Sequence, residues 1–498
     1  MRNDESPLRR LIITILVVLL FALFPHMPKT LAGPSPTEPL LGSWTGQVRY
    51  GEESKAMSLR FALGKNDLLV AFFDLPDLKF RNFGPLPIKQ DGREYKAAFF
   101  IFRLASDNNI ITGIWSFDGN ELPFELKPGS LPVEPPSQEA SGRVAQPLWT
   151  FKTNGAIWSS PAVAANTVYF GSSDGAVYAL QARSGKLVWR FTTGGPVMGH
   201  PTIDAQYLYV VSDDGKLYKL LQSNGKEIWH FDTHGGSVLR HLPTPNTDNY
   251  DDQTSAATVV DGVVYVGSAN NCLYAVDAKT GAEKWHFETK GSIRSIPAVA
   301  NRLIFFGSRD HHVYAVESKT GHLRWKYDTL REVVSSPLVV DGMVYVGSRC
   351  SNLFAFIAAT GEVKWKFFYW SSWVESSARM RDGVLYIGSS DSQQLHAINP
   401  ATGHLIWRFD TDGSDWSTPA VTDRRVYIGA VGVLNYFIPH HGGFFAVDRG
   451  TGKIVWRYPM TAIPNSDLYG VASSPVVDDE HVFFGGLDGT FYAFRSEG

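Results

Sequence analysis

The stretch GSSDGAVYALQARSGKLVW, residues 171–189, returns in degraded form seven more times. It carries a Gly-rich tip, a short alternating run and a Ser-Gly turn, and it ends on a tryptophan four residues after the turn glycine. The turn-plus-Trp phrase recurs at Gly225/Trp229, Gly281/Trp285, Gly321/Trp325, Gly361/Trp365, Gly403/Trp407 and Gly452/Trp456, and Trp149 stands alone upstream. Successive tryptophans from Trp149 are spaced 40, 40, 56, 40, 40, 42 and 49 residues apart, so the base period is 40 with three insertions. Such a period fits a four-stranded propeller blade or a helical-pair solenoid. The text inside it decides between them. VYFGS (168–172), VYVGS (264–268) and VYIGA (426–430) are β-branched and aromatic and are cut off by Gly and Ser, which predicts strands and excludes helical pairs. A short strand around Ser160-Pro161-Ala162-Val163 and its copies completes four per unit.

Hairpins centred on Tyr178, Tyr218, Tyr274, Tyr314, Phe354, His396, Phe445 and Tyr492 make eight blades. The tryptophan series is displaced by one: Trp149 has no hairpin before it, and the last hairpin has no Trp after it. The strand at Leu148-Trp149-Thr150 is therefore expected to complete the blade begun at Ser473-Ser474-Pro475, which closes the ring and removes open edges. Each Trp is expected to pack on a turn of the adjoining blade, with the turn glycine at positive φ.

Composition narrows the partners. The formal charge is −3 and no Lys/Arg stripe is present, which argues against nucleic acid. The two cysteines, Cys272 and Cys350, fall two blades apart and are expected to be buried free thiols.

Residues 1–32 read as a signal peptide or N-terminal anchor: arginines precede the apolar run 11–24, which is short for a membrane span. The expected location is exported, periplasmic or extracellular, with membrane contact only through this segment. A linker (33–40) leads to a small β-domain (41–128), a Pro-rich linker (129–147) and the propeller (148–498). Strands expected in the small domain are 43–50, 57–63, 68–73, 95–104, 110–117 and 122–126, which suits an antiparallel barrel-like fold. Its phrases GSWTG (42–46) and ITGIWSFDGNELPFELKPG (111–129) resemble a small lipocalin-like β-domain found ahead of secreted hydrolase domains.

The phrase Ala-Val-Asp-x-x-Thr-Gly-x-x-x-Trp at 275–285 and 446–456 resembles the repeat of pyrroloquinoline-quinone-type (PQQ-like) eight-bladed propellers. That resemblance implies the fold of residues 148–498. It implies two kinds of function: quinoprotein alcohol dehydrogenases, and non-catalytic envelope proteins similar to the propeller subunit of the outer-membrane assembly machine. The dehydrogenases use adjacent cysteines, a Trp, a calcium site and an Asp base. Here neither cysteine has a cysteine neighbour.

Three residues before each inner-strand proline, or its equivalent, lies the channel entrance position. In chain order it holds Trp158, Met198, Thr254, Arg294, Val334, Glu375, Trp416 and Ala472. Arg294 and Glu375 are the charged pair, expected to face each other across the channel. With Trp158 and Trp416 they form the candidate ligand pocket. One carboxylate is a poor start for calcium, which takes about 6–8 oxygens. The insertions 232–254 and 460–469 fall between an outer strand and the next inner strand. With 368–373 they form a candidate partner-binding rim of His241, Tyr250, Asp251, Asp252, Trp370, Trp373, Asp467 and Tyr469. The third insertion, 431–441, extends a hairpin tip, placed by this reading on the opposite face. His440-His441 and His311-His312 are read as exposed tips, not metal ligands. No catalytic residue, metal site or resident cofactor is expected. The sequence points to a binding or assembly scaffold for an envelope protein, peptide or glycan, with a PQQ- and calcium-dependent dehydrogenase as the alternative and a ligand sensor as a third reading.

Overall fold

A computed structural model describes residues 40–51, 53–64, 68–76, 80–91, 93–106, 109–117, 119–131, 142–236, 238, 240, 250–251, 255–370, 372–434 and 440–497. The signal or anchor segment lies outside them. The described residues form strands and no α-helix. Two compact units result. One comprises most of the chain up to 132 together with 240–252, and the other holds the remainder.

The small domain is one antiparallel sheet of nine strands: β1 (Gly42–Tyr50), β2 (Glu53–Leu63), β3 (Leu69–Leu75), β4 (Phe80–Pro87), β5 (Lys89–Asp91), β6 (Glu94–Ala97), β7 (Phe100–Leu104), β8 (Ile111–Phe117) and β9 (Asn120–Pro128). Its order, β4-β3-β2-β1-β9-β8-β7-β6-β5, joins the first and last strands at its centre. The two edge strands, β4 and β5, are consecutive in the chain with only Ile88 between them. A sheet whose opposite edges are one residue apart must curl on itself, and the result is a nearly closed barrel. Phe73, Phe100, Trp115 and Phe124 pack against one another inside it, with Phe100 5.9 Å from both Trp115 and Phe124. The single strand expected at 95–104 is two, because the chain reverses at Ala98 with φ 47°. Strands β4 and β5 lack the strong alternation that marks the others, so the sequence reading passed over them.

The propeller has eight blades in a ring, seven of them four-stranded sheets and blade 7 a six-stranded one, because Arg143–Val144 and Leu468–Gly470 join its four strands. Blade 1 runs from an inner strand at Ala162–Ala164 to an outer strand at Leu187–Thr192. The following blades repeat this to blade 7, whose outer strand is Ile454–Pro459. Blade 8 takes three strands from the C-terminus and its outer strand, Trp149–Lys152, from before blade 1. Trp149 pairs with Ala493 and Thr150 with Tyr492. The displaced tryptophan series thus marks the closure of the ring.

Two repeated contacts hold neighbouring blades. Each repeat Trp from Trp149 to Trp407 lies under the turn glycine of the next blade. At Gly361 (φ 75°) an added Cβ would sit 2.6 Å from the Trp325 ring, so the position needs both glycine's backbone and its lack of side chain. The Trp325 indole also donates to Ala358 O at 2.8 Å. Trp456 is the exception. No turn glycine lies over it among the described residues, and Trp456 is instead fully buried against Phe494 and Ala145, beside a parallel strand pairing of Arg143 with Trp456 itself. The second contact is a serine two residues before the inner-strand proline position. Ser376 Oγ accepts from Gly388 N in its own blade and donates to Ser417 O of the next. Blade 2 has Gly199 in place of this serine and Val211 in place of the partner glycine.

The third insertion is on the same face as the 460–470 connection, not the opposite one. In a four-stranded antiparallel blade the hairpin between the second and third strands and the connection from the fourth strand to the next blade's first end at the same edge. Accordingly Val431 and Val433 pair with Gly470 and Leu468 of the 460–470 connection, and Leu434 N donates to Asp467 O.

Candidate functional site

This shared face gathers the residues that depart from the repeat. Glu375 sits just before the blade 6 inner strand, where the other described blades carry Trp, Met, Arg, Val or Ala. Its Oε1 accepts from Arg349 Nε at 2.8 Å and lies 2.6 Å from Arg349 Nη2, with the two side chains 1% and 0% exposed. Trp373 lies against the same guanidinium, its ring centre 4.6 Å from the Arg349 carbon. Arg349 belongs to the blade 5 hairpin tip, one residue after the repeated Ser348. Arg294, expected to face Glu375, is buried in blade 4, and Arg349 lies outside the entrance column that the sequence singles out. Blade 4 also holds an arginine, Arg309, at this tip position, so a comparison of tips does not single out Arg349.

Trp158 and Trp416, from blades 1 and 7, do come together. Their rings lie 13° from parallel with centres 6.5 Å apart, spanning the entrance side of blade 8. The Trp416 indole donates to Ser390 Oγ at 3.1 Å, which fixes its plane. Beside it Asp415 is fully buried, its N–H bonded to Ser389 O.

The tandem histidines divide. His441 is exposed, but His440 is buried, its Nε2 3.8 Å from Asp391 Oδ1 and its carbonyl 3.4 Å from Tyr469 Oη. The reading of both as exposed tips is corrected: the insertion folds back on the 468–470 strand and covers one of them. His311 and His312 are half-buried, and His312 Nδ1 lies 2.9 Å from Asp310 O.

Among the rim residues, Tyr250, Asp251, Trp370 and Tyr469 are buried, Trp373 is half-buried and Asp467 is exposed. Asp251 O accepts from Arg240 Nη1 at 2.8 Å. His241, Asp252 and the entrance residue Thr254 lie outside the described residues. Next to Trp370, the Tyr369 hydroxyl is held protonated well above its ordinary range by burial. Cys272 and Cys350 are free and buried.

The family model described as outer membrane protein assembly factor BamB matches residues 139–265, 269–381 and 370–498. The chain belongs to this family. Among solved structures, BamB from Moraxella catarrhalis has a TM-score of 0.52 at 18% identity, covering 71% of this chain and 98% of that one. The quinohemoprotein alcohol dehydrogenase ADHIIG of Pseudomonas putida HK5 scores 0.53 at 17% identity over 71% and 76%. At these identities the likeness is one of fold. Two curated relatives match in part: tetrathionate hydrolase of Acidithiobacillus ferrooxidans, 29% identical over 133 residues, and the quinoprotein alcohol dehydrogenase PedH of Pseudomonas putida, 27% over 112. The matches span 24% and 18% of those proteins' length, and 23% and 22% of this chain.

The family fold raises the question of a quinone with calcium. Glu375, the acid at the entrance position, is engaged by Arg349, and among the described residues no three of His, Cys, Asp or Glu converge as a metal site would need. The cysteines stand in different blades. The residues present do not fit the group, and no chemistry is routed through it.

Proposed function

We propose that this propeller is a non-catalytic binding scaffold of the cell envelope, and that its partner is a protein, peptide or glycan received on the face that carries Glu375, Trp373 and the joined insertions 431–441 and 460–470. The observation that carries this reading is the Arg349–Glu375 pair. It consumes the acid around which a catalytic cation site would be built and ties two blades into a rigid platform. Membership of the assembly-factor family supports a protein partner, and export follows from the same reading. On this face the exposed Asp467 is available for contact, while the neighbouring aromatics are buried as support.

A photo-crosslinking residue at 467, with a second at Arg408 on an outer strand as control, tests the reading. One recurrent envelope partner captured through 467 and not through 408 is the expected result. Equal capture at both positions overturns it. The dehydrogenase reading draws on the stacked Trp158–Trp416 pair, a flat aromatic surface at the channel mouth. It requires dye reduction with alcohols or sugars after addition of the quinone and Ca²⁺.

A further inference from the structure

Next in the channel, two residues along from the entrance position and so about 7 Å from it, lies a second polar layer. It is formed by the residue just before each inner-strand proline position: Ser336, Ser377, Ser474 and Ser160 among them. Each of these hydroxyls accepts a neighbouring blade's backbone N–H, from Ile296, Ser336, Thr418 and Ser474 respectively, at 2.8–2.9 Å. With the oxygen so used, each hydroxyl retains a proton to donate. The described residues record no acceptor for any of the four. The four serines are a set of hydrogen-bond donors around the channel, interrupted by Ala256 and Ile296 at the same position in blades 3 and 4.

Two cationic or potentially cationic groups complete it. Arg379 opens the inner strand of blade 6, where other blades carry Ala, Thr, Leu or Val. His200 occupies the serine's place in blade 2, four blades away and hence across the channel. Arg379 is exposed and His200 half-buried. Among the described residues no carboxylate pairs with either, and the charged group that acts on His200 is Arg379 itself. A guanidinium is always charged, and one with no carboxylate partner among the described residues attracts an anion. Met380, next in the strand, packs into the core between blades 5 and 6, which turns Arg379 the other way.

We propose that this layer of the channel is a binding site for a small oxyanion, held by Arg379, the serine hydroxyls and an N–H of His200. The class of ligand follows from the donor set: several hydrogen-bond donors, one fixed positive charge and, among the described residues of the layer, no acid. The enclosure restricts it to a free small anion, an inorganic oxyanion or a short carboxylate. This site is separate from the face proposed to dock a partner and stands or falls independently of it.

Calorimetric titration of the full-length protein at constant ionic strength, with sulfate, phosphate and malonate in separate runs, tests the site. Saturable binding of one anion per chain is expected for at least one probe. The preferred probe tells an inorganic oxyanion from a carboxylate. Arg379→Gln should weaken binding at least tenfold, and Arg408→Gln on the exposed outer strand should leave it unchanged. Ser377→Ala, a smaller change, should weaken it measurably should Arg379→Gln fail to fold. Absence of saturable binding of all three probes, or undiminished binding in a folded Arg379→Gln or Ser377→Ala protein, overturns the proposal.

Discussion

Arg349 and Glu375 join the hairpin tip of blade 5 to the entrance of blade 6 by a salt bridge of 2.6 Å that is almost wholly withdrawn from solvent. Removing one partner leaves the other charged, buried and dependent on what remains around it, a loss of about 3–5 kcal/mol in comparable pairs. Replacing both with apolar residues of similar volume removes the charges together. Arg349→Met and Glu375→Leu are each expected to lower the urea midpoint strongly, and Arg349→Met/Glu375→Leu less than the sum of the two. Additive losses would mean that the pair is not coupled.

His200 gives the acid side of the stability profile a specific shape. Burial, and secondarily the charge of Arg379, lower its pKa from 6.5 to about 4. Between those values the unfolded chain binds a proton that the folded chain refuses, so the contribution is complete above pH 6.5 and fades as pH falls toward 4. His200→Gln should therefore lose less stability than the parent between pH 7 and pH 5, measured as the change in denaturation midpoint. Parallel pH profiles for the two proteins would refute the assignment.

The inter-blade lock makes a third expectation. Gly361 has φ 75° and its missing Cβ is where the Trp325 ring lies. Gly361→Ala combines backbone strain with overpacking and should cost about 1–3 kcal/mol. Trp325→Ala should cost about 3–5 kcal/mol by leaving a cavity. At Gly342, also at positive φ but with open space around its Cβ position, alanine meets the backbone cost alone. The difference between the two glycine variants in chemical unfolding isolates the contact with the tryptophan.

The repeat was legible because each of its residues does a local job that composition records. Trp149 could be assigned to blade 8 from register alone, since a strand with no hairpin and a hairpin with no strand can satisfy only each other. What the sequence did not show has a common cause. The partner of Glu375 comes from a blade tip 26 residues upstream, and spacing within the inner-strand column carries no sign of it. His440 looks like a tip residue until the 431–433 and 468–470 strands pair and cover it. The face of the third insertion is set by antiparallel pairing, which brings a hairpin tip and an inter-blade connection to the same edge of the blade, a relation that insertion length does not reveal. In the small domain, the run 95–104 is uniformly strand-like, and its reversal at Ala98 depends on a backbone conformation that alanine seldom adopts.

Closure itself is open to a direct test. Trp149–Lys152 supplies the outer strand of blade 8, and the Trp149 ring also reaches across to blade 1, where its indole donates to Ala182 O at 3.0 Å and its face covers Gly185. The segment is thus at once a strand of the last blade and the lock on the first. Deleting residues 146–152 exposes the edge at Thr490–Arg495 and uncovers the turn of blade 1. An unpaired edge of this kind recruits strands from other chains. The truncated protein should lose its cooperative thermal transition and elute as aggregate on size exclusion, while deletion of the upstream residues 132–138 should leave both unchanged. A truncation of 146–152 that melts and elutes like the parent would show that the ring does not depend on this strand.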